Sequence, residues 1–336
     1  MFGRNKLSKR PEIENLPFDT RRATYTSHAR GAIRWLVDQL DVKRVWMPSY
    51  LCPSMITGLD AHLLSFYPIN TNLRIDNLSW LNNVGYNDLV FFITYFGFKG
   101  STTIRQYAKS RGAWVIEDAC QALLTNGVGN NVDFVLYSLR KFIGVPDGGI
   151  LIDNTGKLPE NPSFSSAPSQ WWEPQLNAWI GRGHFDRRGA DGSDRTWYEL
   201  YKMGEERTPY KPCSMSAITK TLIHKAFDYS RISHQRRLNY EILYNNIGHL
   251  SLFNRPSENE VPLGFAICLD DQETRDRLRA KLIQACIYPP IHWDIAGYIP
   301  YRFKESRALS AKILTLPCDQ RYDESDMLKI IKVVVK

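Results

Sequence analysis

Two stretches hold the residues best suited to chemistry: WVIEDACQALL (Trp114–Leu124) and DFVLYSLRKFIGVPDGGILI (Asp133–Ile152). Each opens with an apolar run that reads as a buried strand ending on polar side chains. The first delivers Glu117 and Asp118 at its carboxyl end. The second delivers Ser138 and then Lys141 in an SxxK arrangement, before a glycine pair opens the next strand. An amine that can condense with a carbonyl, a carboxylate on a neighbouring strand end and a hydroxyl beside the amine form a coherent set. It is the set required by an aldehyde cofactor with a basic ring nitrogen and a phosphate.

Pyridoxal phosphate (PLP) is such a cofactor. A lysine must form its Schiff base and later move the proton. A carboxylate must keep the pyridine nitrogen protonated so that the ring can act as an electron sink. A hydroxyl and backbone N–H groups must take the phosphate, ideally at a helix N-terminus. Lys141, Asp118 and Ser138 meet these needs, and the turn His28–Ala29–Arg30 before the first helix offers the amides. Each piece alone is common: an Asp at a strand end often caps a helix, and a loop lysine is usually solvated. SxxK also serves serine acylases, but their SDN and KTG companions are missing. Order and context carry the reading: helix-opening turn, strand–EDxxQ, strand–SxxK, then Gly-Gly and another strand.

The elements that must position these residues alternate in type through the first half. Val45–Pro48, Leu63–Tyr67, Leu89–Phe96, Trp114–Glu117, Phe134–Ser138 and Gly149–Ile152 read as buried strands. Arg30–Leu40 and Thr102–Arg111 have helical spacing, the second with Ser101 and Thr102 as candidate caps. Such alternation predicts an α/β domain with a mostly parallel sheet, whose ligands gather at the carboxyl ends of the strands. From about 154 to 212 the pattern dissolves into Pro, Ser, Trp, Gly and Arg, and reads as an irregular insert. Ser216–Leu243 then reads as one long helix, Pro262–Leu269 as a strand, Gln272–Ala285 as a helix, Ile287–Trp293 as extended and Glu324–Val335 as a last helix. The expected division is a large domain at 1–227 and a smaller C-terminal α+β domain at 228–336.

The whole chain, 336 residues, has the composition of a globular protein and a net charge of +8. Its basic residues are scattered rather than striped with aromatics, so no nucleic-acid partner is expected; a basic pocket for a phosphorylated small molecule suits the excess. The basic opening MFGRNKLSKR lacks the apolar run of a signal peptide. The most apolar stretch, Leu89–Phe98, is about half the length of a membrane span. A cytoplasmic location without membrane association is expected. The six cysteines lie far apart with no CxxC spacing, so no metal site is expected.

The chain resembles the nucleotide-sugar aminotransferases of the DegT/StrS group, in fold type I of the PLP enzymes (aspartate-aminotransferase-like). The likeness runs through the turn at His28–Ile33, VWMPSY before Leu51, ITYFG, VIEDACQA, SLRK–GVPDGG and LTLPCDQ at Leu314–Gln320. It implies that Lys141 carries the cofactor, Asp118 pairs with the pyridine nitrogen, and Gln121 sits near the phenolic oxygen. Ser138 would bind the phosphate, helped by backbone donors at His28 and Ala29. The ring-stacking position falls near Cys52, with Tyr50 or Tyr95 as substitutes. The implied activity is ping-pong transfer of an amino group from a donor such as glutamate to a keto group of a nucleotide-linked sugar, by a homodimer. Rival readings are a sugar dehydratase, in whose relatives a His replaces the lysine, and a regulatory protein on the same fold.

The sequence also departs from that pattern. Many members have two more residues between the serine and the lysine, and TGEGG where this chain has VPDGG. KPCSMSA has Lys211 or Pro212 where members bring an Asn to the partner's phosphate. For the substrate, Arg182, His184, Arg187 and Arg188 read as a Gly-rich loop that could meet a nucleotide diphosphate. His292 and Trp293 fall where members line the cleft. Arg236–Arg237 with Asn239 and Tyr240 reads as a charged helical face.

Overall fold

A computed structural model describes residues 16–17, 20–188 and 195–335. The basic opening segment and the side chain of Arg188 lie outside the described residues. Nine strands and nine α-helices follow one another among the described residues. In the first part they are β1 (Ala23–Thr26), α1 (Ala29–Leu40), β2 (Arg44–Pro48), β3 (Leu64–Tyr67), β4 (Asp88–Ile93), α2 (Thr103–Ser110), β5 (Trp114–Asp118), β6 (Phe134–Ser138) and β7 (Gly149–Asp153). These strands form one seven-stranded sheet in the order β1-β7-β6-β5-β4-β2-β3. The run β6-β5-β4-β2-β3 is parallel, and β7 lies antiparallel to both of its neighbours. Every residue of β4 is buried, which explains its unbroken apolar sequence: a central parallel strand has no solvent face.

Several boundaries differ from those the sequence suggests. The strand expected to reach Phe96 stops at Ile93, because Phe96 adopts a left-handed φ of 53° inside a tight turn. Thr102 stands at the N-cap of α2, but its side chain makes no capping hydrogen bond. β1 is too short to show a period, and it exists by pairing with β7.

The expected irregular insert is largely helical. It holds α3 (Ser169–Arg188) and α4 (Thr196–Glu206), which pack against each other. The long helix expected over 216–243 is two helices, α5 (Ala217–Lys225) and α6 (Tyr229–Ile247), each with its own cap: Ser216 accepts from Thr219 N, and Asp228 accepts from Arg231 N. The chain then adds β8 (Phe265–Cys268), α7 (Gln272–Gln284), α8 (Lys304–Lys312), β9 (Ile313–Leu316) and α9 (Glu324–Val334). β8 and β9 pair antiparallel. A second core gathers there from Tyr240, Leu243 and Ile247 of α6, Phe265, Leu282, Leu316 and Met327. No helix among the described residues is long and apolar enough to cross a membrane.

Arg236 lies on the inner face of α6 rather than on a charged outer face. It is 2% exposed, donates to the carbonyls of Pro262 and Leu263 at 3.1 and 3.0 Å and to Gln320 Oε1 at 2.7 Å, and stacks over Phe142 at 4.5 Å. Gln320 passes the link on by donating to the Phe142 carbonyl at 2.6 Å. Asn239, also buried, donates to the carbonyls of Asp319 and Tyr322. Both side chains are polar because they supply donors to buried carbonyls there.

Candidate active site

The carboxyl ends of β5 and β6 open into a cavity of about 270 Å³. Asp118 is the last residue of β5, paired in register with Ile93 on one side and Leu136 on the other. Its Oδ1 accepts from Cys120 N at 2.9 Å, which leaves the other carboxylate oxygen for a ligand. Asp118, Gln121, Ser138 and Lys141 line the cavity together with His28 and Ala29. The side chains expected to bind the cofactor therefore meet in one place.

Their positions follow from local structure. Ser138 ends β6, and a single 3-10 turn, Leu139–Lys141, brings Lys141 to the cavity wall. The loop closes where Leu139 N donates to Gly148 O at 3.0 Å, and Gly148 N donates to Ser27 O at 2.7 Å. Gly148 needs its φ of 128°, and a Cβ on Gly149 would sit 2.5 Å from Ala29 N. The glycine pair thus lets the lysine loop press against the turn at the start of α1. Asp147, just before it, accepts from Ser216 N at 2.8 Å and from Thr219 Oγ1, tying the loop to α5; its burial pushes its pKa up.

Two buried donors in this cavity have no partner. Gln121 Oε1 accepts from Phe96 N at 2.8 Å, which orients the amide, and its Nε2 is unsatisfied. His28 caps α1: its Nδ1 accepts from Gly31 N at 2.9 Å, and its Nε2 is unsatisfied. Burial first, then the Arg30 and Arg140 guanidiniums, push the His28 pKa down to about 3. The ring is therefore neutral and, with Nδ1 accepting, carries its proton on Nε2. A buried unsatisfied donor costs about 1–3 kcal/mol, so each marks a place where an acceptor belongs. A phenolate oxygen suits the first and a phosphate oxygen the second; with Asp118 and Lys141 alongside, the residues fit PLP.

His292 and Trp293 form part of the cavity wall. His292 Nδ1 lies 2.9 Å from Thr315 Oγ1. Enclosure, then the nearby Lys141, pushes its pKa down to about 3. Neither Tyr50 nor Tyr95 lines the cavity. Tyr50 is buried with its hydroxyl bonded to His292 O and Trp293 N, and Tyr95 donates to Tyr50 O. Cys52 does line it, beside Met55.

Arg182 and His184 lie on α3, not in a loop, and neither is among the cavity-lining residues. Arg182 pairs with Asp186 at 2.9 Å and stacks over Trp197 at 4.5 Å; Arg187 approaches His184 at 3.3 Å. Their place in the cavity is taken by Arg140, Tyr201 and Glu205. Tyr201 and Glu205 stand four apart on α4, so they share a face once the helix is known.

No protein-family model matches the sequence, and no curated protein matches it either. Solved structures do match its backbone. The aminotransferase TlmJ from Streptoalloteichus hindustanus is 16% identical, with 95% of this chain and 86% of that one covered at a TM-score of 0.67. This chain has the fold of the type I PLP enzymes. A DegT/DnrJ/EryC1/StrS aminotransferase from Brucella abortus is 14% identical, with 93% and 85% covered at a TM-score of 0.60. DesI, solved in the presence of its TDP-sugar product, is 15% identical, with 93% and 79% covered at a TM-score of 0.62. The antiparallel β7 beside a parallel sheet, with Asp118 and Lys141 at adjacent strand ends, is the framework on which this chain's cavity is built.

Proposed function

We propose that this protein is a PLP-dependent aminotransferase, a divergent DegT/StrS-type enzyme that moves an amino group from an amino acid, with glutamate the first candidate, to a keto group of a nucleotide-linked sugar. The observation that carries this reading is the convergence of Lys141, Asp118, Gln121, Ser138 and the His28–Ala29 turn in one cavity. When bound, the cofactor supplies an electron sink that stabilises the carbanion formed at the substrate's α-carbon.

The chain's own residues do the rest. Lys141 would hold the cofactor through its amine and would carry the proton between the two carbons that exchange it. Asp118, with one carboxylate oxygen held by Cys120 N, would pair with the ring nitrogen and keep it cationic. Gln121 Nε2–H donates to the phenolic oxygen. Ser138 and the first amides of α1, which have no carbonyl acceptor within the helix, take the phosphate. His292, neutral and hydrogen-bonded to Thr315, forms a wall for the substrate. The net positive charge and the sugar-processing neighbour support a nucleotide-linked acceptor. We assign Arg182 and His184 a supporting role in the α3–α4 pair or in a substrate contact beyond the cavity. The working unit is a homodimer, with the large domain at 1–227 and the small one at 228–336.

The purified protein with added PLP should show an absorption band that Lys141→Ala abolishes, and an amino donor should bleach the band. Lys141→Ala should lower amino transfer by about 10³-fold or more. A protein without such a band in PLP would overturn the reading. A band inert to every amino donor would point instead to a regulatory protein.

A further inference from the structure

One end of the cavity carries a charge cluster that the roles above leave unused. Arg140, between Ser138 and Lys141, donates through Nη1 to Glu205 at 2.8 Å and to Gln175 at 3.1 Å. Arg30, in the first turn of α1, reaches the other oxygen of Glu205 at 3.4 Å. Gln175 is fully buried and comes from α3, while Glu205 comes from α4. Arg30, Arg140 and Glu205 all line the cavity with His28, Ala29 and Ser138. Both guanidiniums and the carboxylate also act electrostatically on His28, which shares the cavity lining with them.

At this end of the cavity lining one carboxylate is shared between two guanidiniums, while Asp147, the other carboxylate acting on Arg140, lies behind the wall and is engaged by Ser216 and Thr219. The lining therefore presents more positive than negative charge beside the positive end of α1. His28, 3% exposed, adds its unpartnered Nε2–H at the same place. A fixed cation, a buried neutral donor and helix amides together are suited to a phosphate dianion, which wants several charge-assisted hydrogen bonds. Arg140 still has donors to spare, since a guanidinium carries five N–H groups and these contacts use one nitrogen.

We propose that Arg140, positioned by Glu205 and Gln175 from the α3–α4 pair, and His28 through Nε2–H bind the cofactor's phosphate monoester alongside Ser138. Arg30 shares Glu205 and so leaves Arg140 free to face the phosphate. The inference rests on the PLP reading above and adds that α3 and α4, through Gln175 and Glu205, belong to the cofactor site. Glu205 acts here as a positioning residue, because it touches the guanidinium and not the phosphate.

The test compares PLP with pyridoxal, which lacks the phosphate, by absorbance titration of the full-length protein freed of cofactor. Arg140→Ala should weaken PLP binding about 10- to 100-fold while leaving pyridoxal affinity within about twofold. Arg140→Lys should recover part of the loss, and inorganic phosphate should compete with PLP in the wild type more strongly than in Arg140→Ala. Unchanged PLP affinity in Arg140→Ala would overturn the proposal. So would an equal loss of PLP and pyridoxal, which would mark a general disruption of the cavity. If the wild type forms an absorbing adduct with neither compound, the cofactor reading itself falls.

Discussion

The cavity has two unlike walls. Its floor is made of strand ends, where Asp118, Ser138 and Lys141 are placed by sheet register and by a loop closed on glycine. Its helical wall is made of Arg30, Tyr201 and Glu205, joined by Arg140 reaching across from the lysine turn, and is held by side-chain hydrogen bonds and ion pairs. The floor's geometry comes from the backbone, so it tolerates change in the surrounding sequence. The wall's geometry comes from particular polar partners, and one substitution can release it. Chemistry common to many substrates sits on the first; recognition of charge sits on the second.

The sharpest way to break this contrast is at the floor. Asp118→Asn should leave the fold and cofactor affinity nearly intact but lower the rate of amino transfer about 10²- to 10³-fold, read as single-turnover kinetics with glutamate. A rate within threefold of wild type would mean that the floor does not tune the ring, and the distinction between the walls would fail.

The next effect is on stability. Arg236→Met fills a similar volume but leaves Gln320 and the carbonyls of Pro262 and Leu263 without their donor. It should cost about 2 kcal/mol, seen as a lower midpoint in urea unfolding with an unchanged slope.

An effect that is smaller per pH unit separates the walls by pH. His28 has a folded pKa of about 3 against an ordinary 6.5, so between those values the unfolded chain binds a proton that the folded chain does not. Stability therefore falls as pH drops through that window, by at most about 1.4 kcal/mol per pH unit for this ring. His28→Asn keeps a capping acceptor for α1 and removes this slope. Arg30, Arg140 and Glu205 act electrostatically on the ring, so the slope also reports whether their charges persist. Acid unfolding curves of the two proteins should diverge below about pH 6.

The smallest effect on the site is expected outside the cavity. Arg182→Ala loses a stack on Trp197 and its pair with Asp186 and should cost about 1–2 kcal/mol, with no change in PLP affinity.

Legibility followed the same division. The floor could be read because parallel strands announce themselves as apolar runs, and their polar ends then stand out. The helical wall could not. The buried face of α3 is Trp171, Pro174, Gln175 and Ala178, correctly spaced for a helix but mixed in chemistry. The inner face of α6 includes Arg236 and Asn239 for the same reason. Where a helix buries hydrogen-bonded polar groups, the apolar period fades and the segment reads as surface or loop. Gln121 and His28 were found by resemblance and by a turn signal, yet their unpartnered nitrogens emerge only from three-dimensional packing.

The buried Arg236 has a mechanical consequence. Through Gln320 it grips the Phe142 carbonyl, one residue past Lys141, while its Nη1 grips the chain entering β8. The lysine loop is thus riveted to the C-terminal layer, and a tilt of that layer carries the reactive amine with it. The opposite side is held by the partly exposed ion pairs of Glu205, which make no comparable clamp on the C-terminal layer.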